Sequence, residues 1–199
     1  MKVKETFNLM NGMASIVRYS QSTLCKPESV LEHTGFVACT CLIIGRNLIS
    51  LGVKIDMEIL LSRALVHDMD EVVTGDVARP TKYFSEEIKS ELDMLSRKSM
   101  VEISDSIDCY LVENWIASKC DLEGKIVELV DILAVLCKAH NEIVMRGNKT
   151  ITFGDPLNLF GRIAEISSKL AKETEQSKYF SSLIDQCQIM KSQIERELK

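Results

Sequence analysis

The stretch Leu60-Leu61-Ser62-Arg63-Ala64-Leu65-Val66-His67-Asp68, followed closely by Glu71 and Thr74-Gly75-Asp76, decides how this chain is read. A histidine and an aspartate end an apolar run there, and burying an imidazole and a carboxylate without partners is costly. A divalent metal is the partner that satisfies both. Two further residues lie in similar surroundings far away in sequence: His33 in Val30-Leu31-Glu32-His33-Thr34, and Asp131 within Ile126-Val127-Glu128-Leu129-Val130-Asp131-Ile132-Leu133. Four such side chains on three helix-like segments predict one metal site assembled between helices.

The surrounding composition sets the frame. A chain of 199 residues is long enough for one well-filled core, and one domain over residues 1–199 is expected. Hydrophobic residues make up 46% and charged ones 27%, while 3 prolines and 9 glycines leave few interruptions, so an all-α fold is predicted. A net charge of -5 argues against a nucleic-acid polymer or an anionic membrane as partner, which would need clustered Lys and Arg. Any phosphate must be gripped locally. The 7 cysteines are odd in number, lack a C-x-x-C pair and fall in or beside apolar runs (Cys39, Cys41, Cys109, Cys137), so they read as small core residues of a reducing compartment. The start, Met1 to Phe7, has no long apolar core, and the run from Phe36 to Gly45 is too short to span a bilayer, so a soluble cytoplasmic protein is expected.

Periodicity places the candidates. A first helix is predicted over 4–17 with Phe7, Met10, Met13 and Val17 on one face, and 18–28 reads as a polar loop ended by Pro27. Ser29 with Glu32 three residues on has the capping-box pattern for a helix to about Leu51, with His33 in its first turns. Asp56 caps the next helix, whose face of Ile59, Leu60, Ala64 and His67 delivers the histidine near its end. Residues 74–83 read as a loop, 85–108 as a helix with a solvated face, and 121–146 as the most strongly helical segment, stopped by Gly147-Asn148. Asp155-Pro156 opens a helix to about Lys172, and 178–198 forms a last amphipathic helix.

On a helix, residues four apart share a face while neighbours point about 100° apart. Asp68 can therefore join His67 only near a helix end or around an ion lodged between helices. Imidazole and carboxylate donors suit zinc, manganese, iron or cobalt, and calcium poorly. With 3 histidines in the chain a histidine-rich dinuclear centre is not expected, although a second, carboxylate-bound magnesium remains open. Taken singly, each residue has a plainer explanation: His33 and His140 as hydrogen-bonded core histidines, Glu71 and Asp76 as solvated loop acids, Arg18 as a surface cation. Asp131 is harder to dismiss, because it interrupts a long apolar run.

The order His33, His67-Asp68, Asp131 resembles the H…HD…D signature of the HD-domain metal-dependent phosphohydrolases, an all-helical class. Three further stretches resemble its bacterial and phage 5'-deoxynucleotidase branch, the YfbR-like family: Arg18-Tyr19 ahead of Pro27 to His33, His67 to Asp76, and Pro80-Thr81-Lys82-Tyr83-Phe84. The likeness runs from about Ile16 to Gly147. It implies that His33, His67, Asp68 and Asp131 bind one divalent transition metal and that Glu71 is the catalytic carboxylate. It further implies that Arg18 and Lys82 hold phosphate, that Asp76 accepts hydrogen bonds from the deoxyribose, and that the protein is a homodimer. Tyr19 stands where the family usually places a tryptophan against a 2'-hydroxyl, and this smaller ring is expected to relax the rejection of ribonucleotides. Arg79 replaces a small residue and adds a cation suited to longer phosphate chains. The expected activity is hydrolysis of deoxyribonucleoside 5'-monophosphates, with a deoxynucleoside triphosphate triphosphohydrolase as the alternative and a non-catalytic nucleotide sensor as a third reading.

Overall fold

Ser29 starts the helix that carries the first candidate ligand. Its hydroxyl accepts from the Glu32 amide at 3.1 Å while the Glu32 carboxylate accepts from the Ser29 amide at 2.9 Å, closing the predicted capping box. The computed structural model describes residues 2–150 and 156–199. In chain order the long and short helices are α1 (Val3–Ser15), α2 (Val30–Ser50), α3 (Met57–Val66), α4 (Glu71–Thr74), α5 (Arg79–Lys82), α6 (Glu86–Ile107), α7 (Val112–Ile116), α8 (Leu122–His140), α9 (Pro156–Thr174) and α10 (Ser177–Glu197). A 3-10 turn, Ala117–Lys119, leads into α8, and a π turn, Asn141–Met145, follows it. The described residues are otherwise free of sheet, with one isolated antiparallel bridge between Val17 and Ser29.

Two apolar clusters hold these elements. The larger joins α2, α3, α8, α9 and α10 around Leu48, Leu60, Ile126, Leu129, Ile163 and Leu170. The smaller joins α1, α6 and α7 to the start of α2 and the end of α3, through Met13, Val30, Val66 and Met100. Each fully buried aliphatic side chain contributes on the order of 2 kcal/mol. Because α2 and α3 contribute to both clusters, the first turn of α2 and the last of α3 lie at the seam between them.

Several expectations are corrected. The first helix stops at Ser15 because Val17 enters the bridge with Ser29, and its buried face is Leu9 and Met13, leaving Phe7 and Val17 exposed. Ile59 also lies outside the packed face of α3. The 74–83 loop contains the one-turn helix α5, and α4 lies just before it. The helix predicted over 121–146 passes from α to π geometry at His140. The cysteines are not uniformly core: Cys41 and Cys187 are buried, but Cys25, Cys39, Cys109 and Cys120 are exposed, and all seven are free thiols. Asp155, predicted with Pro156 to open a helix, lies outside the described residues. No helix among those described is long and apolar enough to cross a membrane.

One glycine is required by packing. A Cβ on Gly124 would stand 2.6 Å from the Ala117 carbonyl oxygen and 3.0 Å from the Lys119 backbone, so the first turn of α8 can seat the 3-10 turn only with glycine there.

Candidate metal centre

Three elements deliver the four predicted ligands to one point. His33 projects from the first turn of α2, and Asp131 from the middle of α8. Helix α3 ends at Val66 with His67 as its C-cap, and the chain turns there, so Asp68 joins its neighbour instead of pointing to another face. The His33 Nε2 atom lies 3.2 Å from His67 Nε2, 3.3 Å from Asp68 Oδ2 and 3.2 Å from Asp131 Oδ1, and His67 Nε2 lies 3.3 Å from Asp68 Oδ2. One donor atom from each of the four residues falls within 4.8 Å of all the others. Tetrahedral bonds of about 2.0–2.1 Å set ligand atoms about 3.3 Å apart, so this spacing fits a transition metal with nitrogen and oxygen donors.

The donor chemistry fits as well. The His67 Nδ1–H donates to the Ala64 carbonyl at 2.7 Å, which fixes the tautomer and leaves Nε2 with a lone pair facing the other donors. The Glu28 carboxylate stands 4.0 Å from His33 Nδ1, on the far side of that ring. Burial works against ionisation of Asp68, but His67, His33 and Arg18 outweigh it and hold its pKa well below the usual carboxylate range. Burial likewise opposes ionisation of Asp131, and His33 and Lys119 overcome it. Burial would lower the His33 pKa, yet its contacts with Asp131 and Asp68 lift it to about 9. The two acids therefore demand positive charge at this point, and a divalent cation supplies what a proton on His33 supplies in part.

Around the four ligands stand the other predicted residues. Arg18 is buried, not a surface cation: its Nη1 donates to Asp68 Oδ2 at 2.8 Å and its Nε lies 3.5 Å from the Glu28 carboxylate. Glu71 opens α4, and its Oε2 is buried with no hydrogen-bond partner among the described residues. Burial and the adjacent Asp68 charge push the Glu71 carboxyl up to about 10, with Arg18 opposing. Tyr19 has the left-handed φ of 57°, unusual for an aromatic residue, and its ring lies 5.4 Å from the Arg18 guanidinium carbon. Its amide donates to Asp76 Oδ2 at 2.7 Å, which ties the two predicted sugar-side residues together. Lys82 shares a small recess with Glu71, Asp70 and Ser96. Arg79 is exposed, with its guanidinium carbon 5.1 Å from the centre of the Tyr83 ring.

Other participants escaped the sequence reading. Glu142, fully buried in the π turn, accepts from the Cys25 and Lys26 amides at 2.7 and 3.0 Å, from Lys138 at 3.0 Å and from Asn148 at 3.0 Å. Asn148 and Lys138 also donate to the Thr23 and Lys26 carbonyls, so the loop that begins with Arg18 is strapped to the end of α8. The Trp115 indole donates to Asp70 at 3.0 Å and braces the turn between His67 and Glu71. An acid at i+4 from a lysine reads as a solvated pair, so nothing in the pattern marked Glu142. His140 keeps its structural reading, with Nε2 2.7 Å from the Gln193 side-chain oxygen.

A helical fold that draws His33, His67-Asp68 and Asp131 together in that order has the architecture of the HD-domain class. A family model described as 5'-deoxynucleotidase YfbR-like matches residues 5–183, and the chain belongs to that family. Among curated relatives, the Escherichia coli 5'-deoxynucleotidase YfbR is 24% identical over 156 residues, covering 75% of this chain and 78% of the relative. A 5'-deoxynucleotidase of Shewanella oneidensis is 30% identical over 97 residues, 46% of this chain, and the match spans about half of that relative, 49%. An HD-domain phosphohydrolase from Listeria innocua superposes with a TM-score of 0.70 at 22% identity, covering 98% of this chain and 92% of the other. A Pyrococcus horikoshii protein gives 0.71 at 21%, covering 94% and 99%. At these identities the structural likeness speaks for the fold.

Proposed function

We propose that the protein is a metal-dependent 5'-deoxynucleotidase that converts deoxyribonucleoside 5'-monophosphates to deoxynucleoside and phosphate, acting in the cytoplasm as a homodimer. One observation carries the reading: four metal-ligating atoms converge with a buried arginine and a carboxylate of raised pKa beside them. A divalent ion held by His33, His67, Asp68 and Asp131 would supply Lewis acidity to the phosphoryl group and lower the pKa of nearby water. Arg18 already spends one N–H on Asp68, and its remaining donors offset the charge that grows on the phosphoryl oxygens. Glu71 holds a proton at its carboxyl and delivers it to the departing 5'-oxygen as the bond to phosphorus breaks. Lys82, beside Glu71, adds a second cation for the phosphate, and Asp76 with Tyr19 faces the sugar.

The triphosphohydrolase alternative depends on Arg79 reaching a longer phosphate chain. The placement of that guanidinium over the Tyr83 ring, together with the family membership, favours the monophosphate reading. A phosphate-release assay over deoxy- and ribonucleoside mono- and triphosphates, scanned across cobalt, manganese, zinc, iron and magnesium, tests it. Metal-dependent phosphate release from deoxynucleoside monophosphates is expected. Triphosphate as the product would overturn it.

A further inference from the structure

Beyond the metal centre, a cleft of about 200 Å³ lies between α8, α9 and the 3-10 turn, lined by Lys119, Lys125, Arg162 and Lys169 with Glu128 and Glu165. That is several times the roughly 30 Å³ share of one water molecule. Four cations face three carboxylates once Glu173, the partner of Lys125, is counted with Glu128 and Glu165, which leaves one positive charge on a chain whose net charge is -5. A phosphate group carries the opposite charge. Three of the cations already have partners: Lys125 with Glu173 at 2.6 Å, Arg162 with Glu128 at 3.3 Å and Lys169 with Glu165 at 2.7 Å. Lys119 is the exception, with no ion pair among the described residues.

The position of Lys119 is built into the fold. Its backbone rests on Gly124, where any Cβ would displace the 3-10 turn, so a glycine in the first turn of α8 fixes the rim of the cleft. Desolvation would lower the pKa of its ammonium, and the field of Asp131, Asp68 and Glu128 outweighs it, so the lysine stays charged. Glu128 lines the cleft one helical turn before the ligand Asp131, which sets this cleft beside the metal centre. Arg162 uses one of its five donors on Glu128 and keeps others for a planar or tetrahedral oxyanion.

We infer that this cleft is a second anion site, distinct from the metal centre, which takes a phosphate group through Lys119 and Arg162. The ligand is a phosphate group, either free or at the end of a nucleotide.

The test is calorimetric titration of the full chain in excess chelator with inorganic phosphate, pyrophosphate and a deoxynucleoside triphosphate. A His67→Ala/Asp68→Ala chain serves as a second background that lacks the metal centre. Saturable binding is expected in both, weakened about tenfold by Lys119→Ala and by Arg162→Ala, largely retained by Lys119→Arg, and falling with added salt. Circular dichroism confirms that each variant is folded. Tighter binding of the triphosphate than of pyrophosphate identifies a nucleotide as the source, and equal binding identifies free phosphate. Absence of saturable binding in both backgrounds, or affinity unchanged by both alanine variants, overturns the inference and leaves the hydrolytic reading standing.

Discussion

Glu71 owes its raised pKa to burial and to the charge of Asp68, and no donor among the described residues satisfies its buried oxygen. Such a group is costly unless the reaction uses it. Glu71→Gln is expected to lower kcat by about 10²- to 10⁴-fold while metal content, measured by plasma emission, stays unchanged. Loss of the ion together with activity would make Glu71 a ligand instead. At the sugar side, Tyr19→Trp should raise the ratio of deoxy- to ribonucleotide turnover by about tenfold, measured as kcat/KM for paired substrates. A ratio left unchanged would remove Tyr19 from the selectivity. The four ligands were legible because His33, His67 and Asp131 are polar residues set in apolar helical runs, where a lone imidazole or carboxylate stands out. Lys119 gave no comparable signal, since a single lysine before a helix is ordinary until the fold sets it beside Asp131.

Among the elements, the strap formed by Thr23, Cys25 and Lys26 fastens the loop that begins with Arg18 to the end of α8. Burial would raise the Glu142 pKa, but hydrogen bonds from Asn148, Cys25 and Lys138 bring it down to about 2. A carboxyl held below its unfolded value stabilises the fold above that value, and the contribution disappears as pH falls through the folded one. Glu142→Gln should therefore cost about 3 kcal/mol in urea unfolding at pH 7, and the gap to wild type should narrow by pH 3. An equal gap at both values would contradict the ionised state. Gly124→Ala should cost about 1–3 kcal/mol by pushing the 3-10 turn off α8, read as a lowered urea midpoint. The long helices were readable from caps such as Ser29 and Asp56 and from their apolar spacing. The turn Ala117–Lys119, helix α7 and the π turn were not, because their conformations depend on contacts with residues distant in sequence, as the bond from Trp115 to Asp70 illustrates.

For the molecule as a whole, the ligands come from α2, α3 and α8, and α2 and α3 belong to both apolar clusters, so an ion there ties together three helices of the core. Any ligand that binds only the folded chain stabilises it, by about 2.7 kcal/mol at a hundredfold excess over Kd. Chelation should accordingly lower the melting temperature of wild type but not of His33→Ala, as followed by calorimetry. An identical drop in both proteins would place the relevant ion elsewhere. Trp115 is the chain's single tryptophan, and its indole is bonded to Asp70, the residue next to Glu71 and two from Asp68. Its intrinsic fluorescence is thus an unlabelled optical probe of the reactive turn, and emission recorded during a metal titration reports local rearrangement there without background from any other indole.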